Sequence, residues 1–174
     1  MKSKLFISIF ALLLLSFNAQ AKTLHVAKWG IDDPSSGSTS QPFLTIGAAL
    51  MNAGKNDKIV VQPGIYEESA SLEFTAVTHD GVKLESVAGR HGTIIDYSNT
   101  TNTPAIDIFA SKVRIGKKRK GFTIRCAPTF PAITIDESTS NVRVEYNRMV
   151  ECDSDTIELR GTKTVVRGNW IESA

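Results

Sequence analysis

The residues of this chain that could do chemistry are few and widely separated. Asp153-Ser154-Asp155 sets two carboxylates on one side of an extended segment, because alternate residues of a strand share a face. Hard cations such as calcium take oxygen ligands of this kind. A second pair, Asp32-Asp33, offers the same chemistry, or else simply opens a loop rich in residues that bond their own backbone. Histidine occurs only as His25, His79 and His91, and His79-Asp80-Gly81 reads as a turn. Lys112, Arg114, Lys117, Lys118, Arg119 and Lys120 place six positive charges within nine residues. Such a patch raises the local concentration of an acidic polymer, or stays solvated as a basic turn between strands. Gly116 and Gly121 flank Lys117, Lys118, Arg119 and Lys120, as expected of an exposed loop tip. The two cysteines come with no further ligand cluster that would make a zinc site.

The elements that must position these groups follow from periodicity. Phe43, Ile46 and Leu50 share a helical face, and Gly54 stands where a helix stops. Lys58 to Val61 then reads as a strand and Pro63-Gly64 as a turn, with an earlier strand over Leu24–Ala27. Beyond Tyr66, short apolar runs recur in three series. One comprises Ile59–Val61, Val82–Leu84, Val113–Ile115, Val142–Val144 and Val165–Val166. Another comprises Ile94–Ile95, Phe122–Ile124, Met149–Val150 and Trp170–Ile171, and the third Leu72–Phe74, Ala105–Ile108, Ala132–Ile135 and Thr156–Leu159. Members of the first series lie roughly 23 to 31 residues apart, the repeat of a solenoid. Three strands per coil, apolar inward and polar outward, cannot bury a face alone but can stack in parallel. The pattern predicts Ile133, Ile135, Ile157 and Leu159 inward, with Thr134 and Glu158 outward. An open stack end exposes unpaired backbone, and the helix around Leu50 is suited to cover it. The competing arrangement is an antiparallel sandwich, against which hairpin signals are nearly absent, Asp80-Gly81 alone fitting.

Lys2 and Lys4, the apolar run Leu5–Leu15 and Ala19-Gln20-Ala21 form a secretory signal peptide over residues 1–21, with an uncleaved anchor as the alternative. Removing Lys2 and Lys4 lowers Lys plus Arg from 20 to 18, against 18 Asp plus Glu, so the exported chain is formally neutral. That balance argues against nucleic acid as a partner. Segments 22–56 and 57–174 are then the N-terminal strand, loop and helix, and the coils. Cys126 and Cys152 follow Ile124 and Val150 at the same offset in neighbouring coils. Strands stacked about 4.8 Å apart suit the Cα spacing of a disulfide, and an oxidising compartment favours the bond; two buried free thiols are the alternative.

Gly30-Ile31-Asp32, Ser35 to Ser40, Pro42-Phe43-Leu44-Thr45-Ile46, Ala48-Ala49-Leu50, Ala53, Asp57-Lys58-Ile59-Val60-Val61 and Pro63-Gly64-Ile65-Tyr66-Glu67-Glu68 together resemble the opening of the right-handed parallel β-helix proteins of the pectin-lyase-like superfamily. The later coils resemble it through Val144 followed by Asn147 and Met149, and Val166 followed by Asn169 and Ile171. The two asparagines, at identical offsets, suit a stacked amide ladder at a coil corner.

The resemblance implies an all-β, right-handed parallel β-helix with an N-terminal amphipathic capping helix, exported to the periplasm or outside the cell. It also implies company of lyases, hydrolases, esterases and epimerases acting on uronate polysaccharides, with adhesins and tailspikes beside them. A lyase of this kind takes the proton beside a uronate carboxylate with a Lys or Arg base, aided by calcium. Arg125, Arg148 and Arg160 are the candidate bases here, and Asp153 and Asp155 the candidate calcium ligands; charges paired between coils on a solvated face explain them too. The hydrolase pattern Asn-Thr-Asp and the epimerase pattern Asp-Pro-His-Asp are absent. The expectation is a protein that binds or processes an acidic polysaccharide, lyase-like if active, with Lys117, Lys118, Arg119 and Lys120 as substrate contacts. The alternatives are a non-catalytic glycan-binding or adhesion module, and a shortened structural remnant that self-associates through an open C-terminal coil.

Overall fold

Aliphatic runs of a few residues, broken by Gly, Pro, Asn and Asp, leave the chain no room for long elements. The computed structural model describes residues 20–99, 103–126, 130–152 and 156–173. In chain order the elements are β1 (Thr23–Val26), α1 (Ile46–Met51), β2 (Lys58–Val61), β3 (Gly64–Glu67) and β4 (Leu72–Phe74). There follow β5 (Lys83–Ser86), β6 (Thr93–Asp96), β7 (Ile106–Ile108), β8 (Arg114–Ile115), β9 (Thr123–Arg125) and β10 (Ile133–Ile135). The last are β11 (Arg143–Glu145), β12 (Arg148–Cys152), β13 (Ile157–Leu159), β14 (Val165–Arg167) and β15 (Trp170–Ser173). The leader expected over 1–21 falls, apart from Gln20 and Ala21, outside the described residues. No helix among the described residues is long and apolar enough to cross a membrane.

The strands form three parallel sheets. Sheet A has the order β1-β2-β5-β8-β11-β14, sheet B β3-β6-β9-β12-β15, and sheet C β4-β7-β10-β13. From β2 onward the chain visits A, B and C in turn and returns one strand further along each, which makes a parallel β-helix. Every strand pairing among the described residues is parallel, so the antiparallel sandwich is excluded. The three apolar series of the sequence become these three sheets.

Register aligns the inward residues into columns. Leu24, Ile59, Leu84, Ile115 and Val144 stack in sheet A. Tyr66, Ile95, Ile124 and Met149 stack in sheet B, and Leu72, Ile106 and Ile133 in sheet C. All are buried, and each such side chain contributes about 1.5–3 kcal/mol relative to exposure. Val166 and Ile171 continue the columns of sheets A and B into β14 and β15, and Leu159 continues the second inward column of sheet C, Phe74, Ile108 and Ile135, into β13; there they are 38%, 54% and 50% exposed.

Two local expectations shift. The Pro63-Gly64 turn is a corner that leads straight into a further strand: Gly64, at φ +151°, opens β3, and a Cβ there would meet the Lys28 side chain at 2.7 Å. The helix starts at Ile46, later than Phe43, because Thr45 caps it, its Oγ1 accepting from the Ala48 N–H at 3.1 Å. Ile46, Ala49 and Leu50 are its buried residues, and α1 contacts β1, β2 and β4. Phe43 is instead buried in a bridge to Val26.

Candidate functional site

On sheet A the inward aliphatic column forces its neighbours outward. Lys58, Lys83, Arg114 and Arg143 occupy one register position on four successive strands, so four cations stand in line about 4.8 Å apart. The adjacent outward position holds Glu85, Glu145 and Arg167. Glu85, its side chain 2% exposed, is ringed by Arg114, by the Lys58 ammonium at 3.2 Å and by the Lys120 ammonium at 3.6 Å. Burial alone would raise its carboxyl, but Lys58 and Arg114 outweigh burial and hold it below the ordinary carboxylate value. Glu145, also buried, takes Arg167 at 2.7 Å and Arg143 at 3.7 Å. A groove of about 360 Å³ runs beside them, lined by Arg114, Lys117, Lys118, Arg143, Tyr146 and Arg167. The two carboxylates anchor the roots of the cations, and Lys83, Lys117 and Lys118 form no ion pair with any described residue.

Sheet C presents the opposite charge. Glu73, Asp107, Thr134 and Glu158 share one register position between two buried inward columns. Thr134 Oγ1 donates to Asp107, and Arg160 binds Glu158 through Nε at 2.9 Å. No group of three or more His, Cys, Asp or Glu among the described residues is placed to hold a metal ion.

The expected lyase residues do not converge. Arg125 and Arg148 project from neighbouring strands of sheet B, two register positions apart, whereas Arg160 follows β13 in sheet C. Arg125 binds Asp96 and lies 3.7 Å from Glu151. Burial would raise the Asp96 carboxyl, but hydrogen bonds from Ser98 and the Arg125 guanidinium hold it low. Arg148 makes a two-pronged pair with Glu172, at 3.1 and 2.6 Å. That hydrogen bonding pushes the Arg148 guanidinium still higher, and Glu158 does the same to Arg160. A base must first be neutral, so both pairs oppose that role. Asp153 and Asp155 lie outside the described residues.

The remaining candidates are engaged locally. Asp32 accepts from the Leu44 and Thr45 N–H groups at 2.8 and 3.0 Å, and Asp33 from Ser35, which suits the loop reading over a shared cation. His79 is buried; its Nδ1 accepts from the Thr75 N–H at 2.9 Å while Nε2 donates to the Leu50 carbonyl at 3.1 Å. Burial pushes this imidazole down and keeps it neutral, as a tie between α1 and the turn after β4. Asn147 and Asn169 form the amide ladder: Asn147 donates to the Asn169 Oδ1 at 3.3 Å and accepts from the Phe122 N–H at 3.0 Å. Cys126 and Cys152 are bonded in the structure, with Cα atoms 4.8 Å apart.

Sequence reasoning found the loop cations and missed the column. A cation stands directly before the stacked inward residue in Lys58-Ile59, Lys83-Leu84, Arg114-Ile115 and Arg143-Val144, an offset that becomes a column only once strand register stacks the runs.

A family model described as "Protein of unknown function (DUF1565)" matches residues 29–174. The chain belongs to this family. Comparison of this DUF1565 member with curated proteins finds no match. Among solved structures it is similar to a rhamnogalacturonan lyase, with a TM-score of 0.66 and 13% identity over 87% of this chain. The chain spans about half, 51%, of that enzyme's length. At this identity the likeness speaks to fold alone, and the fold of the DUF1565 chain is a parallel β-helix.

Proposed function

We propose that this is an exported glycan-binding protein that holds an acidic, uronate-bearing polysaccharide along the outer face of sheet A. The observation that supports this reading is the in-register column Lys58, Lys83, Arg114 and Arg143. A polyuronate carries a carboxylate on every sugar, so a chain laid along the stack meets a fresh cation at each coil. Lys117, Lys118, Arg119 and Lys120 extend the cationic surface at the corner beyond β8. In this reading the β-helix is right-handed, the hand favoured for parallel crossovers. α1 closes its N-terminal end, the leader directs export to the periplasm or beyond, and the Cys126–Cys152 bond forms there. The half-exposed Leu159, Val166 and Ile171 favour self-association at the opposite end.

The second reading is lyase-like processing, favoured by the likeness to a rhamnogalacturonan lyase. It would use Arg125, Arg148 or Arg160 as the base and calcium on Asp153 and Asp155. Binding without cleavage is preferred because each arginine is held by a carboxylate. The test is a screen of the purified protein on polygalacturonate, alginate and glycosaminoglycans with calcium, reading retention and unsaturated-uronate absorbance together. Retention without product supports the binding module. Product that vanishes with Arg125→Ala, Arg148→Ala or Arg160→Ala establishes the lyase, and a folded protein giving neither outcome sinks both readings.

A further inference from the structure

The corner between sheets A and B is built differently in successive coils. After β11 and β14 the chain turns tightly, through Tyr146-Asn147 and Gly168-Asn169. After β5 and β8 it makes longer loops, Val87–Gly92 and Gly116–Gly121. These loops are pinned to one another and to the strands. Ser86 Oγ donates to the Gly121 carbonyl at 2.6 Å, and Thr123 Oγ1 to the Arg90 carbonyl at 2.7 Å. The Lys120 N–H closes its own loop on the Lys117 carbonyl at 2.8 Å. At Gly89, with φ +71°, a Cβ would stand 2.9 Å from the Arg119 carbonyl oxygen, so the loops touch only because this residue is glycine.

Between the loops and the tight corners lies a cleft of about 440 Å³, lined by Arg90, His91, Lys118, Arg119, Tyr146 and the backbone of Gly168. That volume is within the range of about 300–1,000 Å³ typical of small-molecule sites. Arg90, Lys118 and Arg119 form no ion pair with any described residue, unlike Arg114, Arg125, Arg148 and Arg160. Tyr146 adds an independent observation. It adopts φ +59°, and the residue one coil on at the same corner is Gly168, at φ +64°. Glycine meets that left-handed corner without strain, whereas a tyrosine does so at a conformational cost. The Tyr146 ring lies over Gly168, where a Cβ would meet it at 2.7 Å, and it lines the cleft.

We infer that this corner cleft is a binding subsite for a short anionic saccharide, one or two acidic sugar units, with Arg90, Lys118 and Arg119 taking the anionic group and Tyr146 the sugar face. Guanidinium groups hold carboxylates and related oxyanions through paired charge-assisted hydrogen bonds, and an aromatic ring offers a sugar large contact area at low entropic cost. The inference rests on the acidic-glycan reading but makes a separate claim, because the sheet A column would hold a polymer and the cleft a short fragment.

The test is titration calorimetry of the full chain with digalacturonate, a sulfated galactose dimer and uncharged digalactose, with polygalacturonate retention in parallel. The charged dimers tell carboxylate from sulfate. We expect at least one of them to bind and digalactose not to. Tyr146→Gly should weaken that binding by about tenfold or more, in line with losing an aromatic anchor. It should do so with an unchanged or raised melting temperature, since it relieves the left-handed corner. Arg90→Ala with Lys118→Ala should weaken it too, whereas Lys83→Ala with Arg143→Ala should weaken polymer retention and leave dimer binding intact. Retention of polygalacturonate by a protein that binds neither charged dimer would overturn the subsite alone. So would equal binding of digalactose, or full affinity in Tyr146→Gly. A folded protein that binds neither polymer nor dimer would overturn the subsite and the wider reading together.

Discussion

Sheet A turns Lys58, Lys83, Arg114 and Arg143 to solvent where sheet C turns Glu73, Asp107, Thr134 and Glu158, although both bury aliphatic columns behind them. The inward positions are dictated by burial. The outward ones are free of it, so their sorting by sign is not a requirement of the coil. Like charges one strand spacing apart repel by about 1 kcal/mol or less in water, a cost either face can bear. The faces bear it differently. Sheet A buries Glu85 and Glu145 among its cations, while sheet C breaks its acidic row with Thr134 and answers Glu158 with Arg160. Sheet A is therefore a cationic face with its own internal scaffold, and a polyanion would relieve what repulsion remains.

Reversing charge on each face in turn is the strongest way to break the comparison. Lys83→Glu with Arg143→Glu should abolish retention on polygalacturonate, a loss of about a hundredfold or more given several lost charge contacts. Glu73→Lys with Asp107→Lys should leave retention intact or raise it. Affinity electrophoresis in polygalacturonate gels reads both, and equal losses on the two faces would mean that the column is not the site. Raising salt should weaken wild-type retention steeply, because exposed charges are screened.

The next effect in size is on stability. Glu85→Ala leaves Lys58, Arg114 and Lys120 around a buried site without their carboxylate. We expect a loss of about 2 kcal/mol in urea denaturation, below the ~3–5 kcal/mol of a fully buried pair because the three cations are partly exposed. Asp107→Ala on sheet C should cost only about 0.5 kcal/mol, as surface substitutions do. A similar loss at both positions would show that Glu85 has no special role in holding its face.

Acid sharpens the same contrast. The folded Glu85 carboxyl lies below its ordinary value of 4.5. Its stabilising contribution is therefore fully present above that value and is lost as pH falls through the lower folded one. Glu85→Gln should shallow the decline of stability below pH 4.5, and only in part, because Asp96 is held low in the same way. An unchanged acid limb, followed by urea midpoints between neutral pH and pH 3, would remove Glu85 from the account.

The apolar runs were legible because each inward residue must be apolar for the coil to close, so the three series map onto sheets A, B and C. The asparagine ladder was legible too, since Asn147 and Asn169 sit at one offset from Val144 and Val166. β3 was missed because its one buried side chain is Tyr66, and Ile65 faces outward at 48% exposure beside a Pro-Gly pair. Arg125, Arg148 and Arg160 looked alike in sequence. Only their partners, Asp96, Glu172 and Glu158, separate an ion-paired arginine from Arg90 and Arg119 of the corner cleft, which form no ion pair with any described residue.

By itself, then, the sequence determined the parallel coil and its buried columns, because hydrophobic burial writes a local, periodic signature that survives variable spacing. The tertiary structure alone decided the charged faces and the cleft. Lys58, Lys83, Arg114 and Arg143 become neighbours only through strand register, across corner loops of unequal length. Hydrogen bonding between strands sets that register, and no window of sequence contains it.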